Sequence, residues 1–420
     1  MVREHPLSGR AAGVLLHVTS LPNGVLDHEA ERFIDWLAAA GQSWWQILPL
    51  SPPDAFGSPY AGLSAFACRT DLVPHDGRPV PAGELAAYRT RNTGWIDHWE
   101  RFAGPGAVED QVRFERRWRE VRDHARRRGV RILGDLPLYV AAGSVDVASH
   151  PEIFRTDAVA GVPPDYFSED GQLWGNPLYD WDRLRAEGFA WWIARVRRSL
   201  DLHDAVRLDH FRGLEAHWAV PADATTARDG AWIPTPGWEM LDAVEGTLGH
   251  DIPIVAEDLG IITDHVEELR RHFRLPGMMV LQFEMDDHPA QDGRLWHEED
   301  RVAYPGTHDN ATVEEWWASV DDRLRWHVTE SAHRCGIADG PPHRTMVELA
   351  HHAPARIAIA SAQDILGLGA SARMNTPGTT EGNWTWRLEA GALTDDLARW
   401  LRDLTEATGR SVPVPPRASA

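Results

Sequence analysis

The chain has 420 residues, 43% of them apolar and 25% charged, with 42 basic against 63 acidic side chains for a formal charge of −21. That length allows one large barrel or two smaller domains, and the acidic balance argues against nucleic acid or an anionic membrane as partner. Two cysteines, Cys68 and Cys335, are too few for a disulfide framework and lack metal-site spacing, so a reduced, cytoplasmic location is expected. Residues 1–10 carry no apolar signal core, and no apolar run reaches membrane-spanning length. Twenty tryptophans serve either core packing or stacking on sugar rings.

Short apolar runs recur at 13–19, 44–50, 131–140, 205–210, 254–258, 278–283, 302–308 and 356–362. Eight strands alternating with helices predict an α/β fold, a single (β/α)8 barrel over 1–420 with inserted loops. The uneven spacing puts insertions at about 51–130 and 141–200. Within the second, residues 161–181 are rich in Gly, Pro and aromatics, which reads as a lid loop. Between the second and third strands, Phe114, Trp118, Val121 and Ala125 lie on one helical face, and Gly129 can close that helix in a left-handed cap. The Arg126, Arg127 and Arg128 cluster then sits in the last turn, where cations suit the helix dipole. Near the end, Thr394 is an N-cap for a stripe of Leu397, Trp400, Leu401 and Leu404, and Gly409 stops it. Residues 411–420 are expected to form a flexible tail.

Three runs carry acids where an apolar strand ends: Val206-Arg207-Leu208-Asp209-His210, Val255-Ala256-Glu257-Asp258-Leu259 and Gly306-Thr307-His308-Asp309-Asn310. A parallel barrel gathers the C-terminal ends of its strands around one pocket. Three convergent carboxylates suit cleavage of a sugar acetal, one as nucleophile, one as acid and one stabilising a cationic transition state. Strand alternation turns Arg207 and Asp209 to one face, where the guanidinium keeps the carboxylate ionised; a structural ion pair at a strand end has the same pattern. Glu257 and Asp258 face opposite ways, so one of them enters the pocket, and chemistry alone does not say which. A His-Asp-Asn cluster at 308–310 could bind metal, but no second histidine stands at ligand spacing, and none is expected. Gly367-Leu368-Gly369-Ala370-Ser371-Ala372 matches a dinucleotide fingerprint, yet Pro377, Gly378 and Gly382 interrupt the chain soon after it, and no cofactor is expected.

These runs, with Gly13-Val14-Leu15-Leu16-His17, Trp45-Gln46-Ile47-Leu48-Pro49-Leu50, Ser58-Pro59-Tyr60, Gly134-Asp135-Leu136-Pro137, Asp165-Tyr166-Phe167-Ser168, Gly171-Gln172-Leu173-Trp174-Gly175-Asn176-Pro177, Arg373-Met374-Asn375 and Gly382-Asn383-Trp384, resemble glycoside hydrolase family 77, the 4-α-glucanotransferases. The resemblance spans nearly the whole chain in the family's order. It implies a barrel enzyme that transfers a segment of an α-1,4-glucan to the 4-hydroxyl of glucose or a maltooligosaccharide by a retaining double displacement. It implies Asp209 as nucleophile, Glu257 as general acid then base, and Asp309 as transition-state stabiliser. Arg207, His210 and His308 would border the sugar, with Ser58, Tyr60, Asp135, Phe167, Trp174, Asn176 and Asn383 completing the pocket. Retention requires the Asp209 and Glu257 carboxyls about 5–5.5 Å apart. Two stretches, 70–108 and 22–26, are shorter than the family usually carries, which leaves preferred glucan length open. A glucan hydrolase with the same acids, or a non-catalytic glucan-binding barrel, are the alternatives. Partners are α-1,4-glucans and maltooligosaccharides, and oligomeric state is not readable.

Overall fold

A computed structural model describes residues 7–74, 77–164, 169–285 and 298–412. Strands β1 (Ala11–Leu15), β2 (Trp44–Gln46), β3 (Arg131–Leu136), β6 (Ala205–Leu208), β9 (Ile254–Ala256), β10 (Gly277–Val280), β11 (Arg301–Tyr304) and β12 (Ile357–Ser361) form one parallel sheet. Their order is β10-β11-β12-β1-β2-β3-β6-β9, which is chain order rolled into a ring. Nearly every residue in them is buried, as a sheet covered on both faces requires. Each strand coincides with an anticipated apolar run, and most stop two to four residues before the run does. The remainder of the run turns into the barrel mouth. In the sixth run, Leu281–Glu284 is a helical turn where a strand is expected, because a short apolar run has no period that separates helix from strand.

The ring closes between β9 and β10 with little strand pairing. Ala256 N–H donates to the carbonyl of Pro276 at 2.8 Å, and the carboxylate of Asp258 accepts from Met278 N–H, also at 2.8 Å.

A second, antiparallel sheet has no counterpart among the expected elements. It contains β4 (Phe154–Val162), β5 (Gln172–Tyr179), β7 (Ala216–Pro221) and β8 (Ala231–Pro234) in the order β5-β4-β7-β8. The first pair lies between β3 and β6 and the second between β6 and β9, so the sheet stands over the mouth beside the ends of those strands. In the segment 161–181, where a lid loop is expected, Gly161 and Val162 end β4 and Gln172–Tyr179 is β5, with Gly161 and Val162 paired to Leu173 and Gln172. Pro177 is tolerated because β5 is an edge strand. Gly171 has φ +66°, and a Cβ there would lie 2.3 Å from the carbonyl oxygen of Val162.

The two expected helices are present. Ala107–Arg127 buries Phe114, Trp118, Val121 and Ala125, side chains that contribute about 1.5–3 kcal/mol each when large and fully buried. Gly129 comes after it at φ +75°. Arg126 pairs with Asp123 and Arg128 with Asp35. Thr394 caps Asp395–Ala407 by accepting from Leu397 N–H, and Gly409 ends it at φ +67°. Most of the expected tail lies outside the described residues. Among the described residues no helix is long and apolar enough to cross a membrane.

Candidate active site

The side chains at the strand ends form a connected polar wall. Asp135 on β3 and Arg207 on β6 are register partners, and the guanidinium Nη1 donates to both Asp135 oxygens, at 3.0 and 2.9 Å. The same guanidinium reaches Asp209 through Nη2 at 2.8 Å. Strand alternation thus places Arg207 and Asp209 together, and it adds a second carboxylate to the same cation. The hydroxyl of Tyr60 donates to Asp135 at 2.8 Å. One face of the Tyr60 ring is stacked on His308, with centroids 5.2 Å apart and planes 8° from parallel.

The backbone continues barrel pairing one step past the strands. Asp209 N–H donates to Leu136 and Glu257 N–H to Leu208, each at 3.0 Å. His210 then enters the left-handed region at φ +51°, which aims its N–H at a Glu257 oxygen 2.7 Å away. The other Glu257 oxygen accepts from Leu259 N–H at 3.2 Å. Asp258 points the opposite way, into the β9–β10 seam, so the tertiary structure selects Glu257 for the mouth. The His210 ring packs edge-on against Trp174 at 4.8 Å.

After β11, Asp309 accepts from the Asn375 amide at 2.6 Å, and His308 Nε2 lies 3.2 Å from its other oxygen. Arg373 donates to the Asp309 carbonyl at 3.3 Å. Asn383 bonds within its own loop, donating to Thr379 and accepting from Thr376 N–H. Its neighbour Trp384 reaches Tyr60 and His308, at 5.8 and 6.1 Å between centroids. The Asn176 amide donates to the Val140 carbonyl at 2.8 Å, which ties β5 to the loop after β3. Ser58 N–H donates to Asp54. Phe167 lies outside the described residues.

Environment separates the carboxyls. Burial pushes Glu257 up to about 8, with the Asp209 charge adding to the rise and Arg207 opposing it. For Asp309, desolvation in the cleft is outweighed by His308, by the Asn375 hydrogen bond and by Arg207, and the group is held well below the usual carboxylate range. Burial raises Asp135 to about 6 against the pull of Arg207. Burial opposes the charge on Arg207, but Asp135 and Asp209 overcome it. The His210 imidazole, lowered to about 4 by burial, is neutral at neutral pH. The mouth therefore offers a protonated carboxyl on Glu257 together with an ionised one on Asp309.

Asn375, Trp384 and Tyr139, which lies 6.2 Å from His210 between ring centroids, are site residues that sequence reasoning does not single out. Asn375 and Trp384 stand inside motifs already quoted, so their signal is present without a contact to give it meaning. Among the described residues no cluster of three His, Cys, Asp or Glu could hold a metal ion. Gly367, first glycine of the dinucleotide-like run, closes the helix Ala362–Leu366 at φ +66°, whereas the fingerprint must open one.

A family model described as 4-alpha-glucanotransferase matches residues 16–93 and 108–394. A 4-alpha-glucanotransferase from Thermus thermophilus is 36% identical over 96% of this chain and 99% of its own length. The chloroplastic/amyloplastic 4-alpha-glucanotransferase of Arabidopsis thaliana is 37% identical over 96% of this chain and 86% of its own. The Thermus alignment runs over 505 positions, more than the 420 residues available, so that relative carries segments this chain lacks. Among solved structures, amylomaltase from Streptococcus agalactiae in complex with acarbose superposes with a TM-score of 0.89 at 29% identity, covering 96% of this chain and all of that one.

Proposed function

The chain belongs to the 4-α-glucanotransferases of glycoside hydrolase family 77, and we propose from that membership how its mouth carries out glucan transfer. The enzyme cleaves an α-1,4-glucan and passes the released segment to the 4-hydroxyl of glucose or another maltooligosaccharide, with retention. Asp209 attacks the anomeric carbon while the protonated Glu257 gives its proton to the departing 4-oxygen. The acceptor hydroxyl then loses its proton to Glu257 and attacks the same carbon, which releases Asp209 and restores the α-linkage. Asp309 stays anionic and faces the positive charge that develops on the ring. The observation that carries this reading is the set of different contacts made by the carboxyls of one barrel mouth: Asp209 on Arg207, Glu257 on the backbone N–H groups of His210 and Leu259, and Asp309 on Asn375 and His308. Divergent environments of paired carboxyls are how acid and anion roles are divided.

Arg207 holds Asp209 in place through its ion pair, and Asp135 fixes Arg207 in turn. His210, His308, Tyr60 and Trp174 frame the sugar. Ser58, Asn176 and Asn383 complete the sugar pocket, and Phe167 is assigned to it from the family motif alone. The whole chain acts as one catalytic barrel, and the enzyme works in the cytoplasm on maltooligosaccharides. Incubation with maltotriose, and separation of the products by chain length, tests the reading. A ladder of longer and shorter oligomers with glucose, absent in Asp209→Asn, is expected. Glucose and maltose alone would make water the acceptor, and binding without turnover would leave a glucan-binding barrel.

A further inference from the structure

Glu257 stands beside the least paired join of the barrel. On one side its backbone is bonded to β6 and the turn beyond it, through Leu208 and Phe211. On the other side lies the β9–β10 seam, where the two strands terminate the sheet order. There the Asp258 carboxylate acts as a strand: one oxygen accepts from Met278 N–H at 2.8 Å, where a neighbouring carbonyl would normally do so. The other oxygen bonds Arg301 and faces Arg270 Nε at 3.2 Å. Both cations are held by Glu267, at 2.9 and 3.0 Å, and Arg301 also by Glu298 at 2.6 Å. The fit leaves no room beside it, since a Cβ on Gly277 would lie 2.4 Å from Asp258 Oδ2. The Asp258 side chain is 1% exposed and faces away from the mouth, so it cannot touch substrate.

We propose that Asp258 is a positioning residue for the acid–base step, locking the β9–β10 seam so that the adjacent Glu257 carboxyl stays in line with the glycosidic oxygen. This rests on the assignment of Glu257 above. A buried carboxylate flanked by two arginines could instead serve the fold as a whole. The two roles differ in which substrates they affect. Departure of a sugar hydroxyl needs a proton from Glu257, whereas fluoride leaves as the anion. Azide then attacks the maltosyl-enzyme, displacing the Asp209 carboxylate, without giving up a proton.

The test compares kcat on maltotriose with fluoride release from α-maltosyl fluoride in the presence of azide, for wild type, Asp258→Asn and Glu257→Gln. A displacement on the order of 1 Å at a reacting group costs about 100-fold, so Asp258→Asn is expected to lose roughly 10- to 100-fold in kcat on maltotriose. Its KM stays nearly unchanged, and its loss on the fluoride is far smaller. Glu257→Gln should show the same selectivity more strongly. Equal losses on both substrates in Asp258→Asn, or no loss on either, would overturn the inference. Equal losses in Glu257→Gln would instead overturn the assignment of Glu257. Should Asp258→Asn fail to fold, Arg301→Gln, which removes one partner of the same carboxylate, is compared in the same way and decides by the same outcomes.

Discussion

The wall of the mouth at the end of β9 and the wall after β11 each present one carboxylate, in different company. Glu257 is bonded by two backbone N–H groups, from His210 and Leu259, and burial pushes it up to about 8. Asp309 has an amide at 2.6 Å and an imidazole nitrogen at 3.2 Å, and it is held far below its usual range despite desolvation. Arg207 and a backbone donor do not compensate for the water lost around Glu257 beside the Asp209 charge, whereas His308 and the Asn375 amide, with Arg207 adding to them, do so for Asp309. Protonation in this cleft is therefore set by the neighbours each strand end supplies rather than by residue type.

The contrast breaks most completely at Glu257 itself. Glu257→Gln is expected to lose about 10²- to 10⁴-fold on maltotriose and to abolish the basic limb of the pH profile. With Glu257 as the proposed acid, the first step needs its protonated form, so kcat/KM should hold toward pH 8 and fall above it, because Glu257 is raised to about 8. A profile that falls well below that region would remove Glu257 as the acid.

Next in size is Arg207→Gln, which leaves Asp135 and Asp209 buried or half-buried without their shared cation. Breaking a buried pair in this way costs about 3–5 kcal/mol, to be read from urea unfolding. Because Arg207 favours ionised Glu257, its loss should also move the Glu257 titration higher; a downward move would contradict the electrostatics described.

Asn375→Ala sharpens the other wall. It removes the 2.6 Å hydrogen bond to Asp309, and a bond to a charged group is worth about 1.5–3 kcal/mol. The expected reading is a fall in kcat/KM of roughly 10- to 100-fold, the same energy expressed as a rate, with the Asp309 titration displaced upward. Unchanged activity would show that His308 and Arg207 suffice.

The smallest effect is expected far from both walls. Thr394→Ala removes the cap of Asp395–Ala407 and should cost about 1 kcal/mol of stability with kcat untouched. A change in kcat there would mean that the closing helix communicates with the mouth.

Much of this is legible in the chain. The eight apolar runs are visible because strands buried on both faces must be apolar throughout, and Arg207 and Asp209 share a face because the strand period is two. The second sheet is not legible. Strand β8 is mostly exposed and β5 is exposed over Leu173, Trp174 and Gly175, so neither alternation nor an apolar run marks them, and Gly171, Gly175 and Pro177 give the appearance of a loop.

What the sequence determined by itself is the order of the barrel strands, the strand end on which each acid sits, and the helices whose buried faces and caps are local. These depend on periodicities and turn chemistry that act over a few residues. The tertiary structure alone decided that Glu257 and not Asp258 enters the mouth, that Arg207 serves Asp135 as well as Asp209, and that Asn375 holds Asp309. It also decided which carboxyl keeps its proton. Each of those outcomes depends on groups far apart in the chain meeting within bonding distance, and on water being excluded when they meet.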